Sequence, residues 1–556
     1  MKSFKMTNVS VSSCLFVVAV ATVAWAAEDS VKVDSRWVSE AARLIDLEFT
    51  PEERDSMLTD LADNIAFYRA IRSATIDNSV PPALVFNPIP SGATFDTVQR
   101  PVNFGPPPPV KRPADLNDLA FSSVRQLSEL IRTRQVTSVE LTELALSRLR
   151  KYDSVLHCVI TMTEELALRQ AAVADSEIAA GYYRGPLHGI PYGAKDLLAV
   201  RGHPTTWGTT PYKGQYIDRD AAVIHKLSEA GAVCVAKLSL GELAWGDVWY
   251  EDTTRNPWNP AQGSSGSSAG SASAVAAGLV PFAIGSETWG SIVSPSTRCG
   301  ATGLRPTFGR VSRAGAMALS WSMDKLGPIC RTVEDCAIVF NAIYGYDTED
   351  PTTVNLPFNY QPDVDLKTLR IGYLKSDFDC DTSYMKQNLA ALDKLRELGA
   401  ELIEIELPEL PVYPLSIILS AEAAAAFDEL TRTNRDDLMT RQVKNAWPNV
   451  FRSSRFIPAV EYIQANRART QLIEAMGALM DSIDVYVSPA FEGDNLLLTN
   501  LTGHPCVVLP NGFDDEGSPV SITFVGRLYD EGPLLEVAWK YQRATDFYTQ
   551  HPPLFR

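Results

Sequence analysis

Gly263-Ser264-Ser265-Gly266-Ser267-Ser268-Ala269-Gly270-Ser271, then Ala272-Ser273-Ala274-Val275-Ala276-Ala277-Gly278, closed by Gly285-Ser286-Glu287-Thr288-Trp289-Gly290-Ser291, is the stretch from which the rest of this chain is read. A Gly/Ser run commonly serves as a flexible linker. Here an Ala-rich apolar segment follows at once and reads as a buried helix, then a strand from Leu279 to Ile284. Linkers separate domains, and this run lies in the most apolar part of the chain. The other reading is a loop whose glycines let backbone approach a bound molecule and whose serines do chemistry.

Working outward, the chain of 556 residues is 45% hydrophobic and 21% charged, ordinary for a globular protein with a large core. Its net charge of −17, from 50 basic and 67 acidic residues, disfavours a nucleic-acid partner, because polyanions are bound through basic surfaces. Lys2 and Lys5 precede an apolar run from Cys14 to Trp25, and Ala24-Trp25-Ala26 is a small-x-small cleavage site. Residues 1–26 therefore read as a secretory signal peptide, too short for a membrane span. An uncleaved anchor is the other reading. The expected location is secreted or periplasmic, with no stable membrane span after cleavage. Cys14 leaves with the signal, and the seven remaining cysteines are widely spaced, with no metal-ligand pattern at Cys330 and Cys336. They read as buried small apolar residues.

Residues 27–80 read as a helical arm. Trp37, Ala41, Leu44 and Ile45 share one helical face, and Thr50-Pro51-Glu52-Glu53 starts a second helix striped by Met57, Leu58, Leu61, Ile65 and Tyr68. Residues 81–114, with Pro81-Pro82 and Pro106 to Pro109, read as an extended linker. The main domain, 115–556, opens with helices capped by Ser122 and Ser138. A strand is expected from Val155 to Met162 and a helix from Glu164 to Ala180. Strands near Ile190–Ala194, Ala232–Ala236, Leu369–Tyr373, Glu401–Ile405, Val485–Ser488 and Cys506–Leu509 alternate with helices. That order predicts an α/β fold with a mixed central sheet covered by helices on both faces, plus the N-terminal arm.

A serine nucleophile needs a base. None of the six histidines has a catalytic setting. Gly266-Ser267-Ser268-Ala269-Gly270 fits G-x-S-x-G, but turn sequence rather than an apolar strand precedes it. Lysine is the other base, once burial lowers its pKa. Gly185-Pro186-Leu187-His188-Gly189-Ile190-Pro191-Tyr192-Gly193-Ala194-Lys195-Asp196 puts Lys195 at the end of an apolar strand. Taken alone, this segment favours the other reading, a lysine snorkelling from a strand end.

Together these blocks resemble the amidase signature family, the Ser-cisSer-Lys hydrolases. The resemblance rests on Gly185 to Asp196, Ser265 to Gly278, Gly285 to Pro295, Gly303-Leu304-Arg305-Pro306-Thr307, Asp324, Gly327-Pro328, Arg331, Asn500 to Pro505 and Gly526-Arg527. It implies Lys195 as general base, Ser291 as nucleophile and Ser267 as the bridging serine behind a cis peptide. It also implies an oxyanion hole of backbone N–H groups from Thr288, Trp289, Gly290 and Ser291, and places Trp289 and His504 at the substrate. Neither metal nor cofactor is called for. The expected partner is a small-molecule amide, and a homo-oligomer stays open.

The departures are Ser265, Ala269, Ser273, Ser286, Glu287, Trp289 and Val293, where the family usually has Gly, Gly, Ala, Thr, Asp, Gly and Arg. If Trp289 needs positive φ it is strained; otherwise its indole faces the acyl pocket or packs behind the loop. The arm also resembles the C subunit of the tRNA-dependent amidotransferases. The reading is a secreted amidase acting on linear carboxamides. Its rivals are a component of an amidotransferase and a non-catalytic binding protein on the same fold.

Overall fold

The computed structural model of the chain describes residues 32–73, 76–380 and 383–556. The signal-peptide reading of 1–26 lies outside the described residues. The chain forms two compact units, Met1–Ile76 and Asp77–Arg556.

In the first unit, helices span Ser35–Leu44 and Pro51–Ser73. The Thr50/Glu53 capping box forms, with Thr50 N–H donating to the Glu53 carboxylate at 2.8 Å and Glu53 N–H to Thr50 Oγ1 at 3.3 Å. The expected face on the first helix is displaced by one residue. Val38 and Ala42 are buried, whereas Trp37, Leu44 and Ile45 are exposed. Both neighbouring stripes are apolar, and the one with the smaller side chains is the one covered. The second helix buries no residue.

The second unit is built on eleven strands: β1 Val159–Met162, β2 Pro191–Lys195, β3 Val233–Leu238, β4 Phe282–Glu287, β5 Thr302–Arg305, β6 Lys325–Cys330, β7 Ile371–Leu374, β8 Leu402–Ile405, β9 Val485–Pro489, β10 Cys506–Phe513 and β11 Pro519–Gly526. Across the sheet they run β1-β3-β2-β4-β6-β5-β10-β11-β9-β7-β8. The segments β3-β2-β4 and β9-β7-β8 are parallel, and the remaining pairings are antiparallel. The sheet is mixed, as expected. Strand side chains alternate between its faces. Phe282 and Ile284 join the core that holds Val333, Phe340, Leu534 and Ala538, while Ala283 joins the core under Ala272 and Val275. Val507 and Leu509 face the first of these, and Val508 packs with Leu497 and Leu498. Helices therefore cover both faces.

Local punctuation differs from the sequence reading by small steps. The helices Val124–Arg132 and Ser138–Leu156 are capped by Ser123 and Thr137, not Ser122 and Ser138, each in a capping box closed by Gln126 or Glu140. The second helix runs through Val155 and stops at His157, in left-handed conformation, so β1 starts only at Val159.

Residues 81–114 hold no helix or strand, as a proline-rich segment should, but they belong to the second unit and pack on it. Phe86 meets Phe308 edge-on at 4.9 Å, and Phe104 lies 5.6 Å from Tyr360. Arg125 donates to the carbonyls of Phe104, Gly105 and Pro106. The segment is a strap rather than a spacer. All seven cysteines among the described residues are free, and six of them are buried. Among the described residues no helix is long and apolar enough to cross a membrane.

Candidate active site

The C-terminal ends of the parallel strands β2 and β4 meet at one place, where α/β sheets commonly hold their ligands. Lys195 ends β2, and Ser286 and Glu287 end β4. The loop Ser264–Ser268 enters the helix Ala269–Ala276 beside them. Its glycine is forced: a Cβ on Gly266 would lie 1.8 Å from Gly246 O. The Gly266–Ser267 peptide is cis.

Lys195 is fully buried. Its Nζ lies 2.8 Å from Ser267 Oγ, 3.1 Å from Ser268 Oγ and 2.9 Å from Ser286 Oγ. Ser268 O–H donates to Ser286 O at 3.0 Å, so Ser268 Oγ can only accept from the lysine. A neutral amine has two hydrogens and one lone pair. Giving the hydrogens to Ser268 and Ser286 leaves the lone pair facing Ser267. Burial pushes the Lys195 pKa well below the ordinary lysine value, against the opposing pull of the Asp324 and Glu287 charges. No carboxylate among the described residues lies within salt-bridge distance of it. Asp196, its neighbour in sequence, is taken by the equally buried Lys237 at 2.6 Å and by Thr206.

The loop after β4 carries Ser291, 8% exposed. Its carbonyl accepts the Ser268 N–H at 3.0 Å, tying the two serine loops together. Ser291 Oγ has no hydrogen-bond partner among the described residues, so it is open to an incoming group; catalytic hydrogen bonds commonly close only around substrate. The N–H groups of Thr288, Trp289, Gly290 and Ser291 likewise donate to no protein acceptor among the described residues. Glu287 shapes the loop. Its Oε2 accepts from Ile292 N–H at 2.8 Å and Val293 N–H at 3.0 Å, and its Oε1 from Arg305 at 2.7 Å and Asn500 at 2.8 Å. Although burial pushes its pKa up, the Arg305 charge and these donors hold it at about 2.

The structure brings Lys195, Ser267 and Ser291 together, with Thr288, Trp289 and Gly290 on the same loop. Positive φ falls on Gly290, at 83°, and on Ser265, at 60°, but not on Trp289. The indole does not pack behind the loop: it is 37% exposed and meets Tyr413 edge-on at 6.1 Å. His504 is placed elsewhere, a correction to the sequence reading. It is 1% exposed, its Nδ1 pairs with Thr502 Oγ1 at 2.8 Å, and burial lowers its pKa to about 3. It borders a separate cavity with Tyr529 and Glu531, and its carbonyl holds Arg305. Ser268, Ser286 and Glu287 are the working residues that the motif reading left without a role. The signal for Ser286 is its place at the end of an apolar strand, five residues before Ser291; Glu287, four residues before it, reads only as a departure from the family pattern.

Fold and site together define an α/β enzyme acting on amide C–N bonds. The Amidase family model matches residues 140–496, and the chain belongs to that family, the amidase signature enzymes. It is 36% identical over 478 residues to the A subunit of the glutamyl-tRNA(Gln) amidotransferase of Methylococcus capsulatus, covering 77% of this chain and 98% of that one. Against the corresponding protein of Chloroflexus aggregans the identity is 35% over 495 residues, covering 79% and 100%. Among solved structures, the peptide amidase of Stenotrophomonas maltophilia superposes with a TM-score of 0.69 at 29% identity, over 79% of this chain and 99% of that one. The family model begins beyond the arm, whose likeness to a C subunit these matches do not show.

Proposed function

We propose that this chain is an exported amidase that hydrolyses linear carboxamides through Ser291, Ser267 and Lys195. The observation that carries the reading is the 2.8 Å approach of a buried, uncompensated lysine to Ser267, on a loop bonded to that of Ser291. Ser291 Oγ attacks the amide carbonyl carbon, and its proton passes through Ser267 to the Lys195 lone pair. The N–H groups of Thr288 to Ser291 receive the negative oxygen. The relay returns the proton to the amide nitrogen, the C–N bond breaks and the amine leaves. Water then attacks the Ser291 ester, gives its proton to the same relay and releases the acid. Trp289, half-open beside Ser291, contacts the substrate. The leader-like N-terminus and the charge of −17 support export and weigh against a tRNA substrate.

A second reading has its own support: the curated relatives named above are amidotransferase subunits. The two part on one measurement. The purified chain alone, with neither partner nor tRNA, hydrolyses simple carboxamides under the first reading and leaves them intact under the second. Ser291→Ala and Lys195→Ala should each lower turnover by roughly 10³-fold or more, since such residues act as a unit. Hydrolysis by Ser291→Ala at the rate of the unaltered chain would defeat the assignment.

A further inference from the structure

A cavity of about 180 Å³ is bordered by the end of β4 and the start of the loop that carries Ser291. Ser286 and Thr288 are among its lining residues. They are the residues that hold Lys195 Nζ and carry the first of the free loop N–H groups. Its wall is apolar, made by Leu197, Met317, Leu319, Trp321 and Leu326. The charges in its lining already have partners: Arg219 with Glu349, Arg313 with Asp350 at 3.1 Å and with Trp321 O at 2.7 Å, and Asp324 with the Thr288 hydroxyl at 2.5 Å and the N–H groups of Leu319 and Ser320.

These features select which arm of an amide enters. The leaving nitrogen must reach Ser267 to be protonated, whereas the cavity is bordered by Thr288, on the loop of Ser291, and by no residue of the Ser264–Ser268 loop. The carbonyl oxygen is taken by the loop N–H groups. The arm left beside Thr288 is the acyl substituent. An apolar cavity of roughly 150 Å³ holds a benzene molecule, so this one suits a phenyl ring or a short alkyl chain and is too small for a fatty chain. The paired charges in its lining offer no partner to an ionised acyl tail. We infer that this cavity is the acyl pocket and sizes the enzyme for neutral acyl groups of about phenyl bulk. The inference rests on Ser291 being the nucleophile.

The test uses the full chain and p-nitroanilides that share one leaving group, with acetyl, benzoyl and decanoyl acyl parts. Benzoyl should exceed both others in kcat/KM by about tenfold, the scale of hydrophobic-pocket discrimination. Ala318→Leu, which narrows the cavity, should lower the benzoyl-to-acetyl ratio by about tenfold, and Trp321→Ala, which widens it, should raise the decanoyl-to-benzoyl ratio by a similar factor. Should Ala318→Leu fail to fold, the Trp321→Ala ratio decides. A flat acyl series, with ratios unmoved in the variants while turnover still depends on Ser291, overturns the pocket and leaves the hydrolase reading standing. Selectivity that follows the amine instead of the acyl group also overturns it. Absence of turnover for every member in the unaltered chain overturns the hydrolase reading and the pocket with it.

Discussion

Two buried lysines lie on the neighbouring strands β2 and β3, one residue out of register, and their partners decide what each can do. Lys237 has Asp196 at 2.6 Å and holds its charge in a pair. Lys195 has three serine hydroxyls and no carboxylate, so burial drives its pKa well down. Only the neutral amine can take a proton from Ser267. The protonated fraction falls as pH rises through the lowered pKa, so kcat/KM should climb with pH along a single ionisation and level off well below the ordinary lysine value of about 10.4. A rate that is highest in strong acid would contradict a lysine base. Trp289 makes the second residue-level case. Its backbone is unstrained because Gly290 takes the left-handed φ, and its ring is only partly covered. Trp289→Ala should therefore leave the melting temperature nearly unchanged and alter the ratio of kcat/KM for small and aromatic amides. A lowered melting temperature with every substrate slowed alike would show the ring to be packing instead.

At the scale of elements, Glu287 joins four of them. It ends β4, accepts from the first residues of the Val293–Cys299 helix, and reaches Arg305 at the end of β5 and Asn500 in the Asn495–Thr502 helix. A buried pair broken on one side costs about 3–5 kcal/mol, so Glu287→Gln should lower unfolding stability by that order and slow turnover by loosening the Ser291 loop. The acid behaviour should change too. A carboxylate held at about 2 instead of 4.5 binds its proton later in the folded chain than in the unfolded one. Its contribution, about 3 kcal/mol, is complete above pH 4.5 and lost as pH falls towards 2, and Glu287→Gln should flatten the stability profile in that window. Urea unfolding between those pH values measures both effects. The same residue shows what the sequence could tell. Lys195 and Ser291 are legible because each follows closely on an apolar strand, and Ser267 because it lies in a contiguous run of small residues ahead of an apolar helix. Glu287 reads only as a departure from a pattern, because Asn500 stands 213 residues away and nothing local announces it. Strand identity follows from apolar runs for most of the sheet. Strand order does not, since β2 lies between β3 and β4 through crossovers that leave no periodic trace.

At the scale of the molecule, the domain boundary separates the sequence reading from the structure. Proline-rich composition marks 81–114 as a spacer ending near Asp115, but the compact unit begins at Asp77. The difference has consequences for the site. Asn78 exchanges two hydrogen bonds with the backbone of Ala318, at 2.9 and 2.8 Å, on the segment that lines the small cavity. Phe86 lies under the buried guanidinium of Arg469, 3.5 Å from its ring centre. Arg469 in turn holds Leu501 O at 2.6 Å, on the helix that supplies Asn500 to Glu287. Removing the strap uncovers Arg469, loosens that helix and so reaches the Ser291 loop. A chain starting at Asp77 keeps every residue of the site and its supports, and should unfold in one cooperative transition with the turnover of the full chain. A chain starting at Asp115 loses Phe86 and Phe104 outright, and truncating a large aromatic contact costs about 3–5 kcal/mol. It should melt several degrees lower and turn over more slowly, or fail to fold. Scanning calorimetry and a carboxamide assay on the two chains decide it: equal stability and activity from Asp115 onwards would return the strap to the status of a spacer.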